Sequence, residues 1–298
     1  MQTLRHHAKF VVRVAFNKSG TMLASAGYDR RINFYQLKSH SFTDDGLEIE
    51  FDLLHSVELP TNPETLLFLP SSGGPERDWL VYTRRGDNFV HYIALPSSAA
   101  AGTSIGDEAH QKLANLSLSD VQDWDDVRYN TNPSSSDMHV SYSILDVSLH
   151  PSGKYLSLQT GDHAMSSSIT QAASSSASAL SRILLFPLHS DQRAATLWTG
   201  AACSAYASPR HAWLPSGRGV WVNGEDGMVR LVDLQGKTRA SVPIHGVSDR
   251  SGEMDGSVSW SRGGGGNTVI KDLVALDEET LASCGFDKTV RITRLVPA

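Results

Sequence analysis

Two stretches near opposite ends of the chain share one pattern of small, apolar and polar positions. Leu23 to Leu37 reads LASAGYDRRINFYQL and Leu281 to Leu295 reads LASCGFDKTVRITRL, with Leu, Ala, Ser, Gly, Asp and the closing Leu in common. On either side of the turn, small or apolar residues alternate with polar ones, as half-buried strands require, and the intervening Gly-x-Asp supplies a tight turn. Each stretch therefore predicts a hairpin. A third strand precedes each: Val11 to Phe16 before the polar turn Asn17-Lys18-Ser19-Gly20, and Val269 to Leu276 before Asp277-Glu278-Glu279. The predicted unit is strand, polar turn, strand, Gly-x-Asp turn, strand.

The unit recurs with less fidelity in between. Ile144 to Asp162 reads ILDVSLHPSGKYLSLQTGD, and Arg210 to Leu234 reads RHAWLPSGRGVWVNGEDGMVRLVDL. A degraded copy runs through Leu66 to Pro70, Trp79 to Asp87 and Phe89 to Leu95. The turn aspartates Asp29, Asp87, Asp162, Asp226 and Asp287 are spaced 58, 75, 64 and 61 residues apart.

These units resemble the WD-repeat family, whose repeat reads GH, strand, polar turn, LAS-like strand, Gly-x-Asp turn and a strand ending in WD. The resemblance covers nearly the whole chain in five copies. It implies an all-β fold, a β-propeller of four-stranded antiparallel blades forming one domain over residues 1–298. The family repeat is about 40–45 residues, so every copy here carries extra chain. Propellers close with about 4–8 blades, and five repeats fit either a five-bladed ring or part of a seven-bladed one. Gln2 to Arg5 lies where an outer strand of the last blade would be expected. The WD dipeptide is replaced by Tyr35-Gln36, Val232-Asp233 and Thr293-Arg294, and GH survives only as His6-His7 or, reversed, as His245-Gly246. Flexible insertions are expected at about 97–111, 119–139, 163–180 and 244–267, with Lys38 to Glu48 and Ser71 to Asp78 as further rim segments.

Composition narrows the function classes. The 298 residues are 40% hydrophobic and 19% charged with a formal net charge of −6, a globular balance with no overall attraction for phosphate backbones. Direct nucleic-acid binding is thus not expected. Two cysteines, Cys203 and Cys284, make neither a disulfide framework nor a zinc cluster. No uninterrupted apolar run reaches roughly 18 residues and Met1 to Phe10 has no signal-peptide core. A cytoplasmic or nuclear protein without membrane association is the expectation.

The candidate chemistry is mostly structural. In the family resembled, the turn aspartate bonds its own turn and a His near the start of the repeat, so Asp29, Asp87, Asp162, Asp226 and Asp287, with Ser25, Ser283 and His7, are expected to clasp the fold rather than bind metal. His7, Ser25 and Asp29 have the composition of a nucleophilic triad, but no exposed elbow or oxyanion hole is legible. No catalytic residue, cofactor site or metal site is expected. The functional candidates are Arg30, Arg31, Arg84, Arg85, Arg230 and Arg291, at or just after the hairpin turns, whose guanidiniums suit acidic or phosphorylated partners. Trp124 and Tyr129, set among carboxylates, are the candidate aromatic anchors. The resulting expectation is a non-catalytic scaffold for other proteins, with an RNA-associated assembly factor as the alternative.

Overall fold

The computed structural model describes residues 2–43, 46–70, 78–95, 126–133, 144–160, 180–202, 209–245 and 268–295. Among them every regular element is a β-strand, and all pairings are antiparallel. The architecture is the one expected, all-β with five propeller blades. The chain forms two compact units, residues 1–130 and 131–298.

The first unit holds two sheets. One orders β1 (Val11–Phe16), β2 (Met22–Gly27), β3 (Arg31–Thr43) and β4 (Gly46–Glu58), and the other β5 (Pro63–Leu69), β6 (Trp79–Arg84), β7 (Phe89–Ala94) and β8 (Asp126–Asn130). Alternation along β2 and β3 puts Ala24, Ala26, Ile32 and Phe34 on one face, in cross-strand pairs Ala24–Phe34 and Ala26–Ile32. All four are fully buried against Phe68, Leu80, Tyr82 and Ile93 of the second sheet. Small residues on β2 leave room for the large ones on β3 and on the facing sheet. Burying a side chain such as Phe34 stabilises by about 1.5–3 kcal/mol.

Three sheets make the second unit: β9 (Ile144–Leu149) to β12 (Ala195–Ala202) through β10 (Tyr155–Thr160) and β11 (Leu180–Pro187); β13 (His211–Trp213) to β16 (Thr238–Pro243) through β14 (Gly219–Asn223) and β15 (Met228–Asp233); and β17 (Ile270–Ala275), β18 (Thr280–Gly285) and β19 (Val290–Arg294). Ile183, Leu185 and Leu197 pack on Trp213, Val220 and Val222. Trp221 and Val229 pack on Ile270, Leu273 and Leu281.

Four details depart from the sequence expectations. The fifth sheet has three strands, not four, among the described residues. Gln2 supplies no strand to it; its side-chain amide instead donates to the Phe51 carbonyl and accepts from the Phe51 amide, both at 2.7 Å. Lys38 to Glu48 is expected as a rim segment, but Ser39–Thr43 pairs with Gly46–Glu50 and prolongs the β3–β4 hairpin. The expected insertions 119–139, 163–180 and 244–267 also overlap ordered structure, the second only at Leu180. Asp126–Asn130 is the fourth strand of the second sheet, held by Tyr129 edge-on to Tyr92 at 5.4 Å, and Ile244 and His245 are buried.

Candidate functional site

The β2–β3 turn is built around Asp29. Its carboxylate lies 2.9 and 3.1 Å from His7 Nδ1 and accepts the Ala8 amide at 2.9 Å, while His7 Nε2 is 2.8 Å from Ser25 Oγ. Burial works against the charged carboxylate, but the bonds from His7 and Ala8 outweigh it and hold Asp29 below the ordinary carboxylate range. The clasp leaves no space beside Gly27, where a Cβ would lie 2.5 Å from His7 Nδ1. It also steadies Arg30, which sits in the left-handed region at φ 62°, a conformation costing a non-glycine residue about 1 kcal/mol or more.

The same arrangement closes the fifth sheet. His245 Nδ1 is 2.8 Å from Asp287, and His245 Nε2 is 2.9 Å from Ser283 Oγ. Burial again opposes the charge, and His245 and Thr289 overcome it, keeping Asp287 low. His245 is the clasp residue that the candidate set lacked, although the reversed His245-Gly246 marks its place.

The other clasps are variations. Asp87 is held by Arg84, by the Phe89 amide at 2.9 Å and by His91 Nε2 at 3.1 Å. Burial opposes its charge, but these bonds keep its carboxyl low. His91 therefore stands in for the missing upstream histidine. Asp226 is bonded by Arg230 instead of a histidine. Asp162 lies outside the described residues. Between the third and fourth sheets a further set assembles from distant positions. His211 Nδ1 is 2.9 Å from Asp146, His211 Nε2 is 2.7 Å from Ser157 Oγ, and Trp213 Nε1 donates to Ser157 Oγ at 2.8 Å.

Three Asp–His–Ser sets thus recur among the described residues. Ser25, Ser283 and Ser157 are 6, 3 and 0% exposed, too covered for an acyl or phosphoryl group to reach the hydroxyl. Burial and recurrence fit a structural fastening between neighbouring segments of the sheets. Among the described residues no group of three or more His, Cys, Asp or Glu side chains is placed to hold a metal ion.

The arginine candidates divide in two. Arg84 and Arg230 are turned onto their own turn carboxylates, and Arg291 Nη2 lies 3.6 Å from Asp287. Their position in the sequence reports the turn but not the direction of the guanidinium. Arg30, Arg31 and Arg85 are exposed. In the first unit Arg85 and Arg30 take part in one rim cluster. The Tyr28 amide donates to the Phe10 carbonyl at 2.9 Å, the Arg85 guanidinium carbon lies 5.9 Å from the Tyr28 ring centroid, and Arg85 Nε donates to Glu64 at 2.5 Å. Arg30 bonds the Pro60 carbonyl at 3.4 Å. Phe10 is 83% and Tyr28 37% exposed.

Exposed aromatic rings beside arginines are the composition of an interface anchor. Tyr28 is the middle residue of the Gly-x-Asp turn and Phe10 the residue before β1. An aromatic at the middle of a turn that faces solvent is the signal the sequence offers for Tyr28; Phe10 carries no comparable signal. Tyr129 is committed to the second sheet, and Trp124 lies outside the described residues.

Residues 1–36 match the family model described as WD domain, G-beta repeat. A search of curated proteins found no match for the chain.

Proposed function

We propose that this chain, whose residues 1–36 match a WD-repeat model and whose sheets are five propeller blades, a fold that generally mediates protein–protein interactions, is a non-catalytic scaffold that holds other proteins in a multiprotein complex of the cytoplasm or nucleus. The supporting observation is the exposed Tyr28 ring with the Arg85 guanidinium carbon 5.9 Å from its centroid, its backbone bonded to exposed Phe10, with exposed Arg30 two residues on. Rings supply apolar contact at low entropy cost, and guanidiniums select acidic or phosphorylated segments. The mechanism is positioning: clasped turns hold the contact residues in place before a partner arrives, which lowers the ordering cost of binding.

The test is affinity purification of the tagged full chain from its source cell, read by mass spectrometry, for the wild type and for a Tyr28→Ala, Arg30→Ala, Arg85→Ala variant. All three positions are exposed or at a turn surface, so the fold should be kept. A defined set of proteins that drops out with the variant supports the reading. An unchanged set would overturn the rim assignment, and recovery of RNA with salt-steep affinity would favour the assembly-factor alternative.

A further inference from the structure

The fifth sheet repeats the register of the first but lacks its covering. On β3, Ile32 and Phe34 stand opposite Ala26 and Ala24 and are fully buried. On β19, Val290 and Ile292 stand opposite Cys284 and Ala282 in the same register, yet they are 76 and 72% exposed. Val274, paired with Ala282 on the same face, is also exposed. In the other four sheets a fourth strand lies along the third, whereas β19 has only β18 beside it among the described residues. An edge strand offers its backbone N–H and C=O groups as a template for pairing.

We propose that β19 is an acceptor strand, and that an extended, carboxylate-bearing segment of another protein pairs along it as the fourth strand of the sheet. The chemistry of the occupant follows from what fills the equivalent place in the first sheet. There β4 sets Val57 opposite Ile32 and Asp52 opposite Gln36. Gln36 pairs with Met22 as Arg294 pairs with Thr280, so a strand of that pattern on β19 brings an apolar residue to Val290 and a carboxylate to Arg294. Arg294 is well exposed, 3.4 Å from Glu279, and Arg291 lies 3.6 Å from Asp287. A second copy of β19 would instead add its own two arginines to the edge, and like charges across a strand pair are destabilising. An acidic strand from a different protein satisfies both the backbone and the cations, in the mode of strand addition. The site uses no residue of the Phe10–Arg85 cluster, so the failure of either assignment leaves the other standing.

The experiment uses the full chain with Cys203→Ser, leaving Cys284 as the one thiol on this face, and as probe a synthetic peptide with the sequence of residues 49–59, IEFDLLHSVEL. Fluorescence anisotropy measures affinity, and hydrogen exchange with thiol alkylation locates the peptide. The expected result is saturable binding, slowed exchange at residues 290–294 and slowed alkylation of Cys284. Affinity should fall about tenfold or more, some 1.4 kcal/mol, with Ile292→Lys or with a peptide carrying Lys in place of its Asp. Ile292 is exposed, so the thermal melt of Ile292→Lys should match that of the parent. Absence of protection at 290–294 under saturating peptide overturns the proposal. So does protection confined to the first sheet, or self-association of the chain that Ile292→Lys abolishes, which would assign the edge to a second copy.

Discussion

The first and fifth sheets carry the closest pair of repeats in the chain and differ in what surrounds them. Their turns are the same object. His7 grips Asp29 and Ser25 at 2.9 and 2.8 Å, and His245 grips Asp287 and Ser283 at 2.8 and 2.9 Å. Their faces are opposites, with Ile32 and Phe34 buried and Val290 and Ile292 exposed. A clasp is therefore a property of the repeat itself, whereas burial is supplied by the neighbouring sheet. The same hairpin pattern yields a core in one place and a surface in another.

The largest effect that separates the two is core truncation. Phe34→Ala should destabilise the chain by about 3–5 kcal/mol, whereas Ile292→Ala should stay within about 0.5 kcal/mol. Urea unfolding midpoints read both, and a large loss at Ile292 would break the contrast. The clasps should behave alike. Asp29→Ala and Asp287→Ala each strand a buried histidine and should cost about 1.5–3 kcal/mol, so a marked inequality between them would show that the clasp depends on its surroundings after all.

Smallest is the pH response. Asp29 and Asp287 have folded-state pKa values below their unfolded ones, so their contribution is present above the unfolded value, about 3.9, and is lost as pH falls through the folded value. Melting temperatures followed below about pH 4 should drop less steeply for Asp29→Asn than for the wild type, and Asp287→Asn should show the same relief.

The hairpins are legible in the sequence because their signals are local: alternation over six residues, a Gly-x-Asp turn, and in the first and last repeats a Ser four residues before the turn Asp. What it hid was non-local or directional. β8 alternates only through Val127 and Tyr129 in an acid-rich stretch, and its reason for existing is Tyr92, far away in the chain. The Asp146–His211–Ser157–Trp213 set joins residues more than fifty positions apart, with no spacing rule to announce it. A position at or just after a turn does not give the direction of a guanidinium; three-dimensional packing turns Arg84 and Arg230 onto their turn carboxylates while leaving Arg85 exposed over Tyr28. The edge of β19, unpaired among the described residues, is hidden by the repeat itself, since a faithful hairpin reads as a covered one.

Hydrogen exchange of the unliganded full chain tests the central contrast most directly. The account predicts slow exchange through residues 32–34, paired on both sides and buried, and fast exchange over part of 290–294, where β19 has one neighbour among the described residues. Equally slow exchange at both would contradict it.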